Sequence, residues 1–199
     1  MSTSAKEELR SKYKAIRRHI PERESKNKLI AANLSHSVIW QNAQIIALYL
    51  SFGSEVETDA IVQLAIEQDK TVAVPVTDNE SYAMDFYRYA LNEETTDSKL
   101  GMAEPVRDPK KLISPEMIDL CILPGLAFDR FGHRLGMGKG CYDRYLPRLR
   151  PDAVKAALCF GEQISEQPLP HDKFDIDLDW LISDRGIYKC EKISSRSCD

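Results

Sequence analysis

The sequence predicts an α/β fold, a three-layer and mostly parallel open sheet flanked by helices, of the Rossmann-like kind. Short apolar runs alternate along the chain with segments of helical period, and this alternation is typical of parallel sheets with helices on both faces. The length of 199 residues suffices for one substantial core and is short for two. We therefore expect residues 1–199 to form a single domain, with a frayed tail over about the last eight residues.

The N-terminal segment predicts two helices. In the first, over residues 5–18, an apolar stripe is surrounded by basic residues that include Lys6, Arg10, Lys14, Arg17 and Arg18. A solvated face is the simplest interpretation for most of them, but Lys6 and Arg10 are four apart and could meet one phosphate together. The second helix is expected from Pro21 to about Val38. Its inward-facing residues would be Leu29, Ile30, Leu34 and Val38.

A continuous apolar run, QIIALYL at residues 44–50, predicts a central strand. The loop that follows carries Glu55 and lies at the carboxyl end of that strand, where open α/β sheets bind ligands. Thr58 is a good N-cap for the next helix.

Later segments predict the rest of the sheet. Strands are expected at residues 71–74, 84–89, 120–123, 153–160 and 180–183, with the last closing the sheet. Residues 91–117 are polar and contain three prolines. They are either part of a substrate pocket or only a connection. Residues 161–179 predict an acidic, proline-rich loop.

Composition limits the classes of function. The net charge is −4, which argues against a broadly basic nucleic-acid binder. No apolar run approaches the roughly 20 residues that span a membrane, and the N-terminus lacks the apolar core of a secretion signal. Five cysteines without a C-x-x-C pair favour reduced thiols. We expect a cytoplasmic monomer with neither nucleic-acid nor membrane partners.

The densest chemistry lies at residues 124–146, PGLAFDRFGHRLGMGKGCYDRYL. Four of the nine glycines of the chain fall here, Gly132, Gly136, Gly138 and Gly140. A strand, a glycine loop and a helix in this order let backbone N–H groups approach an anion, and nearby arginine and lysine add donors for phosphate. Neither the dinucleotide fingerprint nor the P-loop pattern is present. The chemistry favours a phosphate site over a plain turn.

Other polar residues keep two interpretations. Asp143 either ligates Mg²⁺ or favours the first turn of a helix, and the two are about equal on chemistry alone. A later acidic cluster comprises Asp172, Asp175, Asp177 and Asp179. All but one of these side chains would be solvated. Cys141 is better explained by packing than as a nucleophile. The histidines show no metal-ligand spacing, which argues against zinc, although His133 could touch a ligand through its place in the loop.

With these residues in view, the chain resembles the 5-formyltetrahydrofolate cyclo-ligase family over nearly its whole length. The segment at 124–146 is close to the family pattern P-G-x-x-F-D-x-x-G-x-R-L-G-x-G-x-G-x-Y-D. Weaker matches are KEELR, LYLSFGSEVET, KTVAVP and FDIDLDWLIS. Met137 and Cys141 depart from the pattern, since many members have arginine and an aromatic residue there.

The resemblance implies three sets of site residues. Those contacting ATP would be Lys6, Arg10, Arg134, Leu135, Gly136, Met137, Gly138, Lys139, Gly140, Cys141 and Tyr142. Those contacting folate would be Leu50, Glu55, Met137, Gly138, Lys139, Gly140 and Tyr142. Mg²⁺ would lie on Asp143 and Asp175, and the catalytic cations would be Lys139 and Arg134.

The reaction implied is conversion of 5-formyltetrahydrofolate and ATP to 5,10-methenyltetrahydrofolate, ADP and phosphate. Its logic is phosphorylation of the formyl oxygen followed by ring closure through N10, which needs charge neutralisation and no protein nucleophile. One alternative is a non-catalytic nucleotide-binding or protein-interaction module. Another is an oxidoreductase or sugar-phosphate enzyme on a similar sheet.

Overall fold

The computed structural model describes residues 3–78, 80–91, 93–97 and 103–191. Its helices are α1 Thr3–Arg18, α2 Arg23–Ser35, α3 Val38–Asn42, α4 Asp59–Glu67 and α5 Cys141–Tyr145. Its strands are β1 Ile45–Ala47, β2 Thr71–Thr77, β3 Met84–Arg88, β4 Thr95–Asp97, β5 Ala103–Pro105, β6 Leu112–Ile113, β7 Leu120–Leu123, β8 Ala127–Asp129, β9 Arg134–Leu135, β10 Val154–Cys159, β11 Ile164–Ser165, β12 Trp180–Ser183 and β13 Gly186–Lys189.

The main sheet has eight strands in the order β13-β12-β10-β7-β1-β2-β3-β6. The central strands β12, β10, β7, β1 and β2 are mutually parallel. Antiparallel strands flank them on both sides. The prediction of a mostly parallel α/β sheet is therefore confirmed.

The two faces of the sheet are covered unequally. On one face, Ile30 and Leu34 of α2, Trp40 of α3 and Ile61 of α4 pack into one buried cluster. On the other face, the cover that the described residues provide comes from the short α5 and the surrounding loops, through residues such as Tyr145 and Leu178. A long cavity can therefore form on the side where little helix covers the strands.

The predicted second helix is wrong at both ends. It begins at Arg23 rather than Pro21 and ends at Ser35. The chain then turns at Ser37, whose hydroxyl donates to Leu34 and accepts from Trp40 N–H. This new cap starts α3 and resets the helical period, so Leu29 and Val38 are exposed rather than inward-facing.

Three further details differ from the predictions. The central strand extends only over Ile45–Ala47. Thr58 accepts a hydrogen bond from Ser51 N–H instead of capping α4 through its side chain. The sheet does not end at Trp180–Ser183, because a turn with Gly186 at φ 137° adds β13 as its edge.

The excursion at residues 91–117 carries short strands. β4 pairs with β5, and β6 joins the main sheet beside β3. Residues 92 and 98–102, and the predicted frayed tail at 192–199, lie outside the described residues. No described helix has the length and apolarity needed to cross a membrane.

Gly132 is the glycine whose replacement should cost the most stability. Its φ is +94°, and an added Cβ would lie 2.5 Å from the backbone oxygen of Leu178. Gly53 has a similar φ of +61° but open space around it. We expect Gly132→Ala to lower the free energy of unfolding by roughly 3 kcal/mol, from left-handed strain plus overpacking.

Chemical denaturation checks this prediction, with Gly53→Ala as the matched control. The control should cost only about 1 kcal/mol, because it adds strain without a clash. Equal losses in the two variants would contradict the steric argument.

Candidate active site

One cavity of about 680 Å³ opens at the carboxyl ends of the parallel strands. Residues that follow β1 and β7 line it, together with Pro75 and Thr77 at the carboxyl end of β2, and this is where open α/β sheets bind ligands. Its volume is in the range of small-molecule sites. Among the residues lining it are five of the six basic residues of α1, which are Lys6, Arg10, Lys14, Arg17 and Arg18. The predicted phosphate loop, residues 134–143, lines the same cavity.

The glycine loop is built differently from the predicted strand–loop–helix. The hairpin of β8 and β9 lies between β7 and the loop, and it pairs with β11 in a separate small sheet. The loop itself needs glycine, since Gly138 has φ +91° and Gly140 has φ +64°. The helix that follows ends at Tyr145, where the 3-10 turn Leu146–Arg148, which contains Pro147, begins. Anion binding must therefore rely on loop amides and side-chain cations more than on a helix end.

Two contacts hold the loop against the strands. The Arg144 guanidinium donates to the carbonyl of Lys139 at 3.0 Å and to that of Tyr82 at 2.9 Å. The Lys139 ammonium lies 4.8 Å from the centre of the Tyr82 ring. Lys139 and Met137 are otherwise exposed. Lys139 can therefore move toward a ligand without breaking a hydrogen bond.

Arg10 and Lys6 reach the cavity from α1, but they do not meet at one point. Arg10 Nε donates to the Gly136 carbonyl at 3.1 Å. Lys6 Nζ lies 2.6 Å from an oxygen of Asp172 and 2.9 Å from one of Asp175. Burial lowers the pKa of Lys6, but these two hydrogen bonds outweigh it and leave the pKa raised. Lys6 is thus a stable cation beside the acidic loop.

Arg134 lies at the buried end of the loop and pairs with Asp143. The guanidinium Nη2 is 2.7 Å from Asp143 Oδ1, and the carbon Cζ lies 5.4 Å from the centre of the Tyr142 ring. Among the described residues, the buried Arg134 Nε has no acceptor. A buried guanidinium with an unused donor is suited to an anion.

A second polar group on the cavity wall is centred on Glu55. Its carboxylate accepts from Phe52 N–H at 3.1 Å and lies 3.5 Å from Arg17 Nη1. Arg17 also donates to Ser54 Oγ and to the Gly125 carbonyl. Burial raises the pKa of Glu55, and Arg17 offsets part of that rise. Leu50 also lines the cavity.

Two residues at this cavity were missed or misassigned from the sequence. Arg17 is buried rather than solvated. Its spacing of eleven from Lys6 and seven from Arg10 is helical, so the shared face was a usable signal. Glu104 is a buried carboxylate on the cavity wall that accepts from Thr77 N–H. It lies in the polar excursion, where no periodicity pointed to it.

Two other sequence interpretations are resolved by packing. Burial raises the pKa of the Cys141 thiol, which agrees with packing rather than nucleophilic chemistry. His133 does not line the cavity as described. Its Nδ1 lies 2.8 Å from Oδ2 of the buried Asp129.

Glu55→Gln should raise stability at alkaline pH and weaken substrate binding. Folding raises the pKa of this carboxyl group above its unfolded value near 4.5. Below that pH the group is neutral in both states and costs no stability. As pH rises through the folded pKa, the buried group becomes charged and the free energy of unfolding falls. Glutamine cannot become charged, so the variant does not lose this stability as pH rises. We therefore expect Tm to match the parent at pH 4 and to exceed it at pH 8.

Because the resemblance implies that Glu55 contacts the substrate, the same variant should also raise KM roughly 10- to 100-fold, through loss of a buried hydrogen bond to a charged group. Thermal scans and steady-state rates check both parts. Glu57→Gln, an exposed neighbour, is the control. A Tm difference that does not change with pH would contradict the assignment.

Comparison with known proteins decides the family. The profile described as the 5-formyltetrahydrofolate cyclo-ligase family matches residues 2–184. The chain belongs to the 5-formyltetrahydrofolate cyclo-ligase family. The resemblance drawn from the sequence is thereby confirmed.

Members of the cyclo-ligase family from distant organisms match most of the chain. The 5-formyltetrahydrofolate cyclo-ligase of Mus musculus is 35% identical over 192 residues, covering 90% of this chain and 93% of its own. That of Haemophilus influenzae is 28% identical over 183 residues, covering 89% and 97%.

A solved structure supports the fold independently. The 5,10-methenyltetrahydrofolate synthetase of Aquifex aeolicus superposes with a TM-score of 0.79 at 28% identity, covering 98% of this chain and 96% of its own. The synthetase of Mycoplasma pneumoniae superposes with a TM-score of 0.71 at 22% identity, covering 90% and 98%. At that lower identity the likeness concerns the fold.

Proposed function

We infer that this chain is a ligase that cyclises 5-formyltetrahydrofolate to 5,10-methenyltetrahydrofolate at the expense of ATP, releasing ADP and phosphate. Membership of the cyclo-ligase family supports this class of reaction. The structural observation that best supports it is a cavity lined by both the cation-bearing glycine loop and a buried carboxylate. One end thus suits phosphates and the other suits the amide-like edge of a pterin.

The nucleotide end is proposed to comprise α1 and the glycine loop. Residues contacting ATP would be Lys6, Arg10, Arg134, Leu135, Gly136, Met137, Gly138, Lys139, Gly140, Cys141 and Tyr142. Support comes from their common position on the cavity wall and from the unused Nε donor of Arg134. Arg10, fixed on the Gly136 carbonyl, would set the position of the loop.

The folate end is proposed to comprise Leu50, Glu55 and the part of the loop at residues 137–140, with Tyr142 beside it. Leu50 would offer apolar contact. Glu55 would accept hydrogen bonds from ring N–H groups, because its carboxylate is mostly buried and only partly satisfied by Arg17. Tyr142 would give an aromatic surface next to Arg134.

Chemistry would take place where the two ends meet. The formyl oxygen attacks the γ-phosphorus, the bond to the bridging oxygen breaks, and ADP leaves. N10 then attacks the activated formyl carbon, loses its proton, and phosphate departs. Lys139 and Arg134 would stabilise the charge that develops on the transferred phosphoryl group, and the cavity holds the two reactants in line.

A magnesium ion fits the carboxylates present. Asp143 and Asp175 line the same cavity as the loop, and Mg²⁺ is usually held by one or two carboxylates plus substrate phosphates. Bound there, it would neutralise phosphate charge. In this structure the two carboxylates pair instead with Arg134 and Lys6. We propose that these cations turn toward phosphate when the nucleotide binds.

Further properties are proposals of the same kind. We propose that residues 1–199 act as one catalytic domain and as a monomer. The free thiols at Cys121, Cys141, Cys159 and Cys190 support a reducing, cytoplasmic location. The net charge of −4 supports small-molecule partners over nucleic acid.

An absorbance assay tests the proposed function. Purified full-length chain is mixed with 5-formyltetrahydrofolate, Mg²⁺ and ATP, and the methenyl product is followed by its absorbance. We expect a rise that requires ATP and is matched by release of ADP. Binding of ATP by calorimetry with no such rise would instead identify a non-catalytic nucleotide-binding module.

A further inference from the structure

A second polar cluster lies away from the cavity wall described above. It consists of His133 in the turn between β8 and β9, with His171 and Asp177 in the loop before β12. One ligand atom from each lies within 4.8 Å of the others. The two imidazole rings have centroids 4.5 Å apart, and Asp177 Oδ1 is 2.9 Å from His171 Nε2. None of the three has a part in the proposed reaction.

The orientation of His133 is fixed by a buried carboxylate. Asp129 Oδ2 lies 2.8 Å from His133 Nδ1 and accepts from Leu169 N–H at 2.7 Å. Asp129 Oδ1 accepts from the N–H groups of Phe131 and His133. Because this carboxylate accepts backbone donors at both oxygens, it keeps the proton on Nδ1. The Nε2 lone pair of His133 is then free to bind a ligand, as in carboxylate–histidine–metal arrangements.

Asp177 supplies an oxygen that has no donor. Its Oδ1 is buried, makes no hydrogen bond among the described residues, and lies 2.9 Å from His171 Nε2. A buried carboxylate oxygen without a partner is costly. A cation between it and the two imidazoles would remove that cost.

We propose that His133, His171 and Asp177 form a binding site for one Zn²⁺ ion. Two imidazoles and a carboxylate are ligands that zinc prefers, whereas Mg²⁺ favours oxygen ligands. Bonds of about 2.0–2.2 Å place tetrahedral ligands roughly 3.4 Å apart. The cluster therefore has to contract by about 1–1.5 Å at most. His171 and Asp177, with side chains 30% and 39% exposed, have the freedom to do so.

The site would join two segments that are distant in sequence. His133 belongs to the turn before the glycine loop, and the other two ligands flank the loop that carries Asp172 and Asp175. Both of those aspartates pair with Lys6. Zinc would therefore hold the acidic loop in place beside α1. This role is separate from the proposed reaction and does not depend on it.

Calorimetric titration of the chelator-treated full chain with Zn²⁺ tests the proposal. We expect one ion to bind, and His171→Asn to weaken binding at least roughly 10-fold. His36→Asn should not, because His36 is an exposed residue on a helix end. Asp143→Asn should also leave zinc binding unchanged, which separates this site from the proposed magnesium carboxylates.

Thermal unfolding gives a second measurement. Zinc at one hundred times its Kd should raise Tm by roughly 5–10 °C in the parent and by little in His171→Asn. Asp177→Asn is a further variant in case the first folds poorly. Absence of zinc binding by the parent, binding unaffected by loss of His171 and Asp177, or binding lost in Asp143→Asn would each overturn the proposal.

Discussion

Replacing Lys139 with alanine is expected to lower kcat roughly 100- to 1,000-fold, the effect of removing one donor that stabilises charge in a transition state. Lys139 is an exposed cation of the glycine loop, and its ammonium contacts the face of Tyr82. It contributes little to packing, so the free energy of unfolding should change by less than about 0.5 kcal/mol. The loss should therefore appear in turnover and not in folding.

Steady-state kinetics and a thermal scan on the same preparation check this result. Lys110→Ala is the control, because it removes an exposed lysine from a 3-10 turn outside the cavity wall. Its rate should equal that of the parent. Full turnover by Lys139→Ala would exclude Lys139 from the phosphate site. A marked fall in Tm that accompanies the loss of activity would indicate a structural role instead.

Replacing Asp143 with asparagine should shift the dependence of activity on Mg²⁺. We expect the half-saturating concentration of Mg²⁺ to rise at least about tenfold. Even mutation of a residue that only hydrogen-bonds to a metal ligand lowers metal affinity by about that factor. The change also frees Arg134 from its ion pair. Affinity for ATP without magnesium should then stay the same or increase, since a cation no longer shared with a carboxylate attracts the nucleotide more strongly.

A magnesium titration of the rate and calorimetry with ATP in chelator measure the two parts. Asp152→Asn is the matched control, because Asp152 also pairs with an arginine, Arg150, but is 78% exposed and lies away from the cavity. An unchanged magnesium midpoint in Asp143→Asn would limit Asp143 to orienting Arg134.

The structure also changes how the charges of the site are understood. Each proposed metal carboxylate is paired with a proposed phosphate cation, Asp143 with Arg134 and Asp175 with Lys6. Both pairs are mostly buried, so the cost of removing the charges from water offsets much of their attraction and neither contributes more than modest stability. They neutralise two of the seven basic side chains on the cavity wall, which carries four carboxylates in all.

The sequence by itself determined the fold class and the region of the chemistry. The alternation of apolar runs with helical segments predicted the parallel sheet, because strand burial and helical period follow directly from local pattern. The glycines at residues 136–140, with their neighbouring cations, marked the loop because positive φ and backbone approach demand glycine. The family pattern over residues 124–146 is also a local feature.

Only the tertiary structure decided which distant residues share a site. The burial of Arg17 and Glu104, the pairing of Lys6 with Asp172 and Asp175, and the meeting of His133 with His171 join segments far apart in the sequence. The helix boundaries near Val38 and Tyr145 were likewise set by a serine cap and a proline. Such contacts depend on the order of the strands in the sheet and on the paths of the loops between them. The local hydrophobic period of the sequence does not determine either.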